Sequence, residues 1–250
     1  MRPSLLKKIG WVTVFSVAMG FMESAIVVYI RALYYPDGFQ FPPVPVDYTI
    51  AVTEIIREAA TLAMLLSMGV LLGKNAAEKL AYFIFCFAIW DIFYYVFLKL
   101  LLNWPPSLFT WDILFLIPVA WIGPVLAPLI LSFTMIMLSA GILFYGRKNE
   151  HIILSAVEWA LLITGSLIVL FSFTYDYTRF ILDRYSLTQL IQLSAEKKLF
   201  ELSLNYVPVD FNWFLFSLGE ILLLAGIVFF IRRNATIAAN QSDEHHSSRV

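Results

Sequence analysis

Seven ionisable side chains, Glu23, Glu54, Arg57, Glu58, Asp91, Glu158 and Glu220, sit inside long apolar runs, and Lys99 and Asp112 stand near the ends of such runs. In a lipid environment each charge near mid-membrane costs about 2.5–3.5 kcal/mol on insertion scales, so residues of this kind tend to mark function. The set is lopsided: six carboxylates against one arginine. Arg57 can neutralise one or two of them, most simply Glu54 and Glu58. The others must be protonated, hydrated in a cavity or bound to a cation, because burial and neighbouring carboxylates both disfavour the ionised form. Proton transfer and cation binding are the chemistry such a set offers.

Residues three and four apart share a helix face. Glu54, Arg57, Glu58 and Thr61 therefore form one polar stripe within TEIIREAAT, and Asp91, Tyr94 and Tyr95 repeat the spacing in WDIFYY. Tyrosine hydroxyls can bond a carboxylate while their rings suit an apolar wall. Two such stripes at overlapping depth are expected to face each other. The candidate substrate- or proton-binding set is Glu23, Glu54, Arg57, Glu58, Asp91, Tyr94, Tyr95, Asp112 and Glu220. Glu158, on one face with Ser155 and His151, is a candidate inner end of a proton path. A purely structural account competes: Glu54–Arg57 as a clamp between helices, and Asp91 as a cap near Pro118.

Other chemistries lack their parts. The chain has only 3 histidines, His151, His245 and His246, so there is no pair for a membrane haem, no Glu-x-x-His for a di-iron site and no base for a Ser-His-Asp triad. The run Glu54-Ile-Ile-Arg57-Glu58 resembles the CAAX-type intramembrane proteases in residue types alone. The order differs and that family's later histidines are absent, so no activity is carried over. Cys86, the single cysteine, reads as a small packing residue. The formal net charge of −1 gives no basic face for nucleic acid. No cofactor is implied, beyond a divalent cation held by carboxylates under an enzymatic reading.

The elements that must position these residues follow from hydropathy. The chain is 60% hydrophobic and 14% charged, against about 25% charged in soluble domains, and its mean hydropathy is +0.80. A span needs about 20 mostly apolar residues. That length predicts an all-α integral membrane bundle of six helices, at Ile9–Ile30, Ile50–Gly73, Leu80–Leu102, Gly123–Tyr145, Ile152–Tyr175 and Asn212–Ile231. Residues 1–233 form a single domain, and 234–250 are expected to be a disordered cytoplasmic tail. The first run, after Arg2, Lys7 and Lys8, resumes beyond Glu23 to full spanning length, so it reads as a retained helix and not a signal peptide.

Lysine and arginine set the orientation. Arg2, Lys7, Lys8, Lys74, Lys79, Arg147, Lys148, Arg232 and Arg233 collect on one side, and the opposite short loops offer Arg31 and Lys99. The positive-inside rule puts both termini in the cytoplasm, and the absence of a targeting signal points to a plasma (inner) membrane. The polar set then lies mostly in the outer half of the membrane.

Two connections stand out. The stretch Trp111–Tyr145 would make a helix of about 52 Å, too long for one span of a core about 30 Å thick. Pro118, Pro124 and Pro128 break it. A broken or re-entrant piece over 111–121 is expected, tolerable at membrane depth only where protein or a wet cavity satisfies its backbone. The connection 178–204 is expected to form an amphipathic helix on the outer surface.

Proton- or cation-linked transport is the leading expectation. An enzyme acting on a lipid or lipid-linked substrate at the outer leaflet is the first alternative, and a non-catalytic subunit or assembly factor the second. The lipid bilayer is the expected partner, with a homo-oligomer or a membrane-complex partner beside it.

Overall fold

The computed structural model describes residues 5–117, 119–147, 152–184 and 205–247. Six of its helices are long and apolar enough to cross a membrane. They are α1 (Leu5–Tyr34), α2 (Tyr48–Leu72), α3 (Ala76–Leu102), α4 (Leu126–Gly146), α5 (Ala156–Leu182) and α6 (Trp213–Ser247), with strands β1 (Trp111–Phe115) and β2 (Trp121–Pro124) between α3 and α4. The chain is a multi-pass helical membrane protein by this architecture.

Short polar residues start α2, α3 and α5. Asp47 accepts from Thr49 N at the head of α2. Asn75 accepts from Glu78 N at the head of α3. Ser155 and Glu158 form a reciprocal capping box on α5, which satisfies two of the donors a helix start leaves unpaired.

Helix directions alternate. Gly20 and Ser24 of α1 lie against Trp90 and Tyr94 of α3 in parallel order. Ser132 of α4 meets Asp91 and Gly146 meets Glu78, so α4 runs antiparallel to α3. Thr134 meets Glu220 and Gly141 meets Phe230, so α6 runs parallel to α4. The start of α1 and the Arg233 region of α6 therefore share one end of the bundle. The opposite end carries the 35–47 loop and the β1–β2 hairpin.

The helices form two groups. α1 and α2 each pack along α3 and touch each other only lightly; α5 packs along α6; α4 lies between, against α3 on one side and α6 on the other. Small residues permit the close approaches, as expected where apolar solvent supplies no hydrophobic drive between helices. Ser16, Gly20 and Ser24 line one buried face of α1 at four-residue spacing.

The structure corrects one sequence expectation, where the last helix ends, gives the expected break at 111–121 its form, and describes only the start of the expected connection helix. The expected broken piece over 111–121 is an antiparallel hairpin, paired from Trp111↔Pro124 to Phe115↔Trp121 with an irregularity between Ile113 and Phe115. Aromatic and β-branched residues favour extended backbone, and Gly123-Pro124 holds off the helix until Leu126; Pro118 lies outside the described residues. The last helix runs on to Ser247, past the expected boundary at Arg233. The stretch Asn234–Asn240 contains three alanines, the best helix formers, and the Asn234 side chain bonds back to Phe230 O at 2.8 Å. Of the expected connection helix, 178–182 belong to α5, and 185–204 lie outside the described residues.

Candidate functional site

The ionisable residues assemble at the hairpin half of the bundle. Arg57 donates to Glu54, at 2.6 Å and 2.9 Å, and to Glu23 across the α1/α2 gap. Thr61 sits 3.4 Å from the same Glu23 oxygen. The expected Arg57–Glu58 pairing does not form. Glu58 is one residue on, about 100° round the helix, and it turns instead to the hairpin. There its carboxylate accepts from Leu116 N at 2.9 Å, satisfying a backbone donor freed where β1 ends.

A second group ties the hairpin to α1 and α3. Asp112 of β1 accepts from Tyr95 Oη at 3.2 Å and lies 3.5 Å from Arg31 Nη2. The Arg31 guanidinium stacks over Trp104, 3.8 Å from its ring centre, and faces Phe39 at 4.9 Å. Arg31 is 7% exposed and Asp112 3%, so this pair is shielded by aromatic rings on the way in from the loops. Tyr94 lies within electrostatic reach of Asp112, Arg31, Glu23 and Arg57, between the two groups.

Asp91 and Glu220 face the central helix from opposite sides. Asp91 accepts from Ser132 Oγ at 2.8 Å and Glu220 accepts from Thr134 Oγ1 at 2.7 Å. Ser132 and Thr134 are two residues apart on α4, hence on nearly opposite faces at nearly one depth. The second oxygen of Glu220 is buried and has no hydrogen-bond partner among the described residues. By the helical rise, Glu23, Glu58 and Asp91 each lie about 15 Å in from the hairpin end of their helices, and Glu220 about 10 Å.

Thus Glu23, Glu54, Arg57, Glu58, Tyr94, Tyr95, Asp112 and Asp91 fall within one connected neighbourhood, with Glu220 across α4 from it. The two expected stripes do not meet squarely. Asp91 turns to α4 and Tyr95 to the hairpin, and Tyr94 remains beside Glu23 and Arg57. Glu158 lies at the other end of the bundle, holding Arg233 at 2.8 Å and 2.9 Å as well as its cap. His151 lies outside the described residues.

Comparison with family models, curated proteins and solved structures found no match. The site must be read from its own geometry. Among the described residues no three His, Cys, Asp or Glu side chains come together in a group that could hold a metal ion.

Sequence reasoning missed Arg31 as a site residue, because α1 extends four residues beyond the expected span. It also missed Ser132, Thr134 and Arg233. The hydroxyls in LSFT were visible signals: a polar pair inside an apolar run, at a depth matching the carboxylates. The Asp112 contacts carry a further expectation. Asp112→Asn keeps the shape but removes the charge that holds Arg31, which is left buried against Trp104. Tryptophan emission is expected to shift, and protease cleavage of the 103–125 connection to rise several-fold; unchanged cleavage would mean that Asp112 does not anchor the hairpin.

Proposed function

We propose that the protein is a proton- or cation-linked membrane transporter. It would sit in a plasma (inner) membrane with both termini cytoplasmic, as the lysine and arginine bias implies. One observation carries the reading. Glu58, Asp91 and Glu220 are held at similar depth by one neutral donor each, and none is ion-paired among the described residues. A carboxylate so placed is stable in lipid when a proton or cation neutralises it. Exchange of that proton or cation is then the natural event at the site.

The fold supplies a means of coupling. Two tightly packed helix groups meet through α4 and the hairpin. The hairpin grips α5 through aromatic contact, Trp121 lying parallel to Phe173 with ring centres 6.3 Å apart. It grips the α1–α3 group through the polar contacts of Glu58, Arg31 and Tyr95. Neutralising Glu58 weakens a charge-assisted bond to Leu116 N, so loading the site loosens one group's hold on the hairpin. On this reading the hairpin is the re-entrant element, and Ser132 and Thr134 pass the change across α4. Six helices are few for one transporter subunit, so self-association is expected.

The test is ion flux in proteoliposomes carrying trapped pH- and sodium-sensitive dyes under an imposed gradient. Protein-dependent flux of one ion is expected, reduced tenfold or more by Asp91→Asn or Glu220→Gln, with thermal stability held within a few degrees. No flux of either ion, or flux indifferent to both substitutions, overturns the proposal.

A further inference from the structure

A groove of about 440 Å³ lies between the last two turns of α5 and the 206–212 segment, apart from every residue used above. Its depth comes from the helix itself. Glu158, paired to Arg233, marks one end of α5, and Asp176 lies 18 residues on, about 27 Å away at 1.5 Å per residue. The hydrocarbon core is about 30 Å thick. Asp176 to Arg184 therefore stand at the far edge of the core, in the headgroup layer.

The groove holds both signs of charge. Asp176 Oδ2 accepts from Tyr206 Oη at 2.6 Å and from Val209 N at 3.3 Å. Its other oxygen accepts no bond among the described residues. Tyr206 is 1% exposed, and burial together with the adjacent carboxylate pushes its hydroxyl well above the usual tyrosine range. It stays a donor and fixes Asp176 in place. Arg184 lies over the Phe180 ring at 3.8 Å and donates to Phe180 O at 3.2 Å, using one of its five donors. Arg179 and Asp183 form a loose pair at 3.9 Å, both about two-thirds exposed, which a ligand can part at little cost. Asp210 completes the lining.

We propose that this groove binds a phosphoethanolamine group, with its phosphate on Arg184 and Arg179 and its ammonium on Asp176 and Asp210. Planar guanidinium groups suit phosphate. Among the described lining residues three aspartates stand against two arginines, which disfavours a purely anionic ligand. Among the lining rings, Phe180 carries Arg184 on one face, Tyr206 meets Phe41, Tyr177 and Phe180 edge to face, and Tyr175 meets Phe171 in the same way. The acceptors offered to the cation are the carboxylate oxygens of Asp176 and Asp210, which bond the N–H donors of a primary ammonium and find none on a trimethylated one. Val207 and Val209, 50% and 74% exposed, offer an apolar rim to an acyl chain, so a lipid-borne group fits the place as well as a soluble one.

The experiment uses the full chain in nanodiscs of phosphatidylethanolamine, phosphatidylcholine or phosphatidylglycerol, with retained lipid counted by native mass spectrometry. Soluble glycerophosphoethanolamine is added as competitor. Phosphatidylethanolamine is expected to be retained at least fivefold over the other two. Asp210→Asn or Asp176→Asn should erase the ethanolamine-over-choline preference, and Arg184→Gln should lower retention of both. Asp210 has no role in holding Tyr206, so its variant keeps the test open if Asp176→Asn fails to fold. Displacement by the soluble compound at millimolar concentration assigns a free ligand, and resistance to it assigns the lipid; either supports the proposal. Equal retention of all three lipids, or a preference that survives both aspartate substitutions, overturns it. The result does not depend on whether the carboxylates near α4 carry transport.

Discussion

Arg57→Gln is expected to destabilise the bundle by about 3 kcal/mol, the scale of breaking a buried ion pair from one side. The side chains of Arg57, Glu23 and Glu54 are 16%, 10% and 20% exposed, so removing the guanidinium strands two acids in an apolar setting. α1 and α2 otherwise meet only lightly, which makes the Arg57–Glu23 contact their main direct tie. The loss should appear in reversible unfolding from mixed micelles. The cycle with Glu23→Gln is informative: the double variant should recover about 1 kcal/mol or more of the deficit, since residues in one network are not additive. A single-variant cost below about 1 kcal/mol would mean the triad is hydrated and of little structural weight.

The second large effect is expected at the α5/α6 crossing. A Cβ on Gly219 would fall 2.6 Å from Val169 Cγ2 and 2.9 Å from the Gly165 carbonyl oxygen, and one on Gly165 would fall 2.9 Å from the Gly219 carbonyl oxygen. The valine can give way, but the opposing backbone cannot. Gly219→Leu should therefore push the two helices apart, costing about 2–3 kcal/mol as overpacking does. Val169→Ala should restore only part of it. Cysteine pairs placed across the crossing should lose cross-linking efficiency, and pairs between α1 and α3 should keep theirs. Equal loss at both places would mean that the two helix groups are not separate units.

The helices were legible because hydropathy reports directly on solvent: six runs of spanning length became six helices, most ends shifted by a few residues, while α5 and α6 run on to Leu182 and Ser247, beyond the expected Tyr175 and Ile231. The hairpin was not. Proline announces that a helix stops, but the turn to paired strands depends on what Asp112 and Leu116 find around them, and Arg31, Tyr95 and Glu58 come from three other helices. Pairing was the other blind spot. Sequence gives the angular position of Glu58 relative to Arg57, which argues against their contact, yet it does not say that Glu23 occupies the facing position on α1. The apparent excess of acid also shrinks once Arg233 is seen to reach back to Glu158. The excess survives at Glu58, Asp91 and Glu220, where the partners are an amide and two hydroxyls.

That division among the six carboxylates is the point most open to direct measurement. A hydrophobic carbodiimide modifies protonated carboxyls within the bilayer, and peptide mapping locates each adduct. Modification is predicted at Glu58, Asp91 and Glu220, with Glu23, Glu54 and Glu158 spared by their arginines. Adducts spread evenly over all six, or confined to the three arginine-paired residues, would contradict the assignment of the unpaired trio as the working centre.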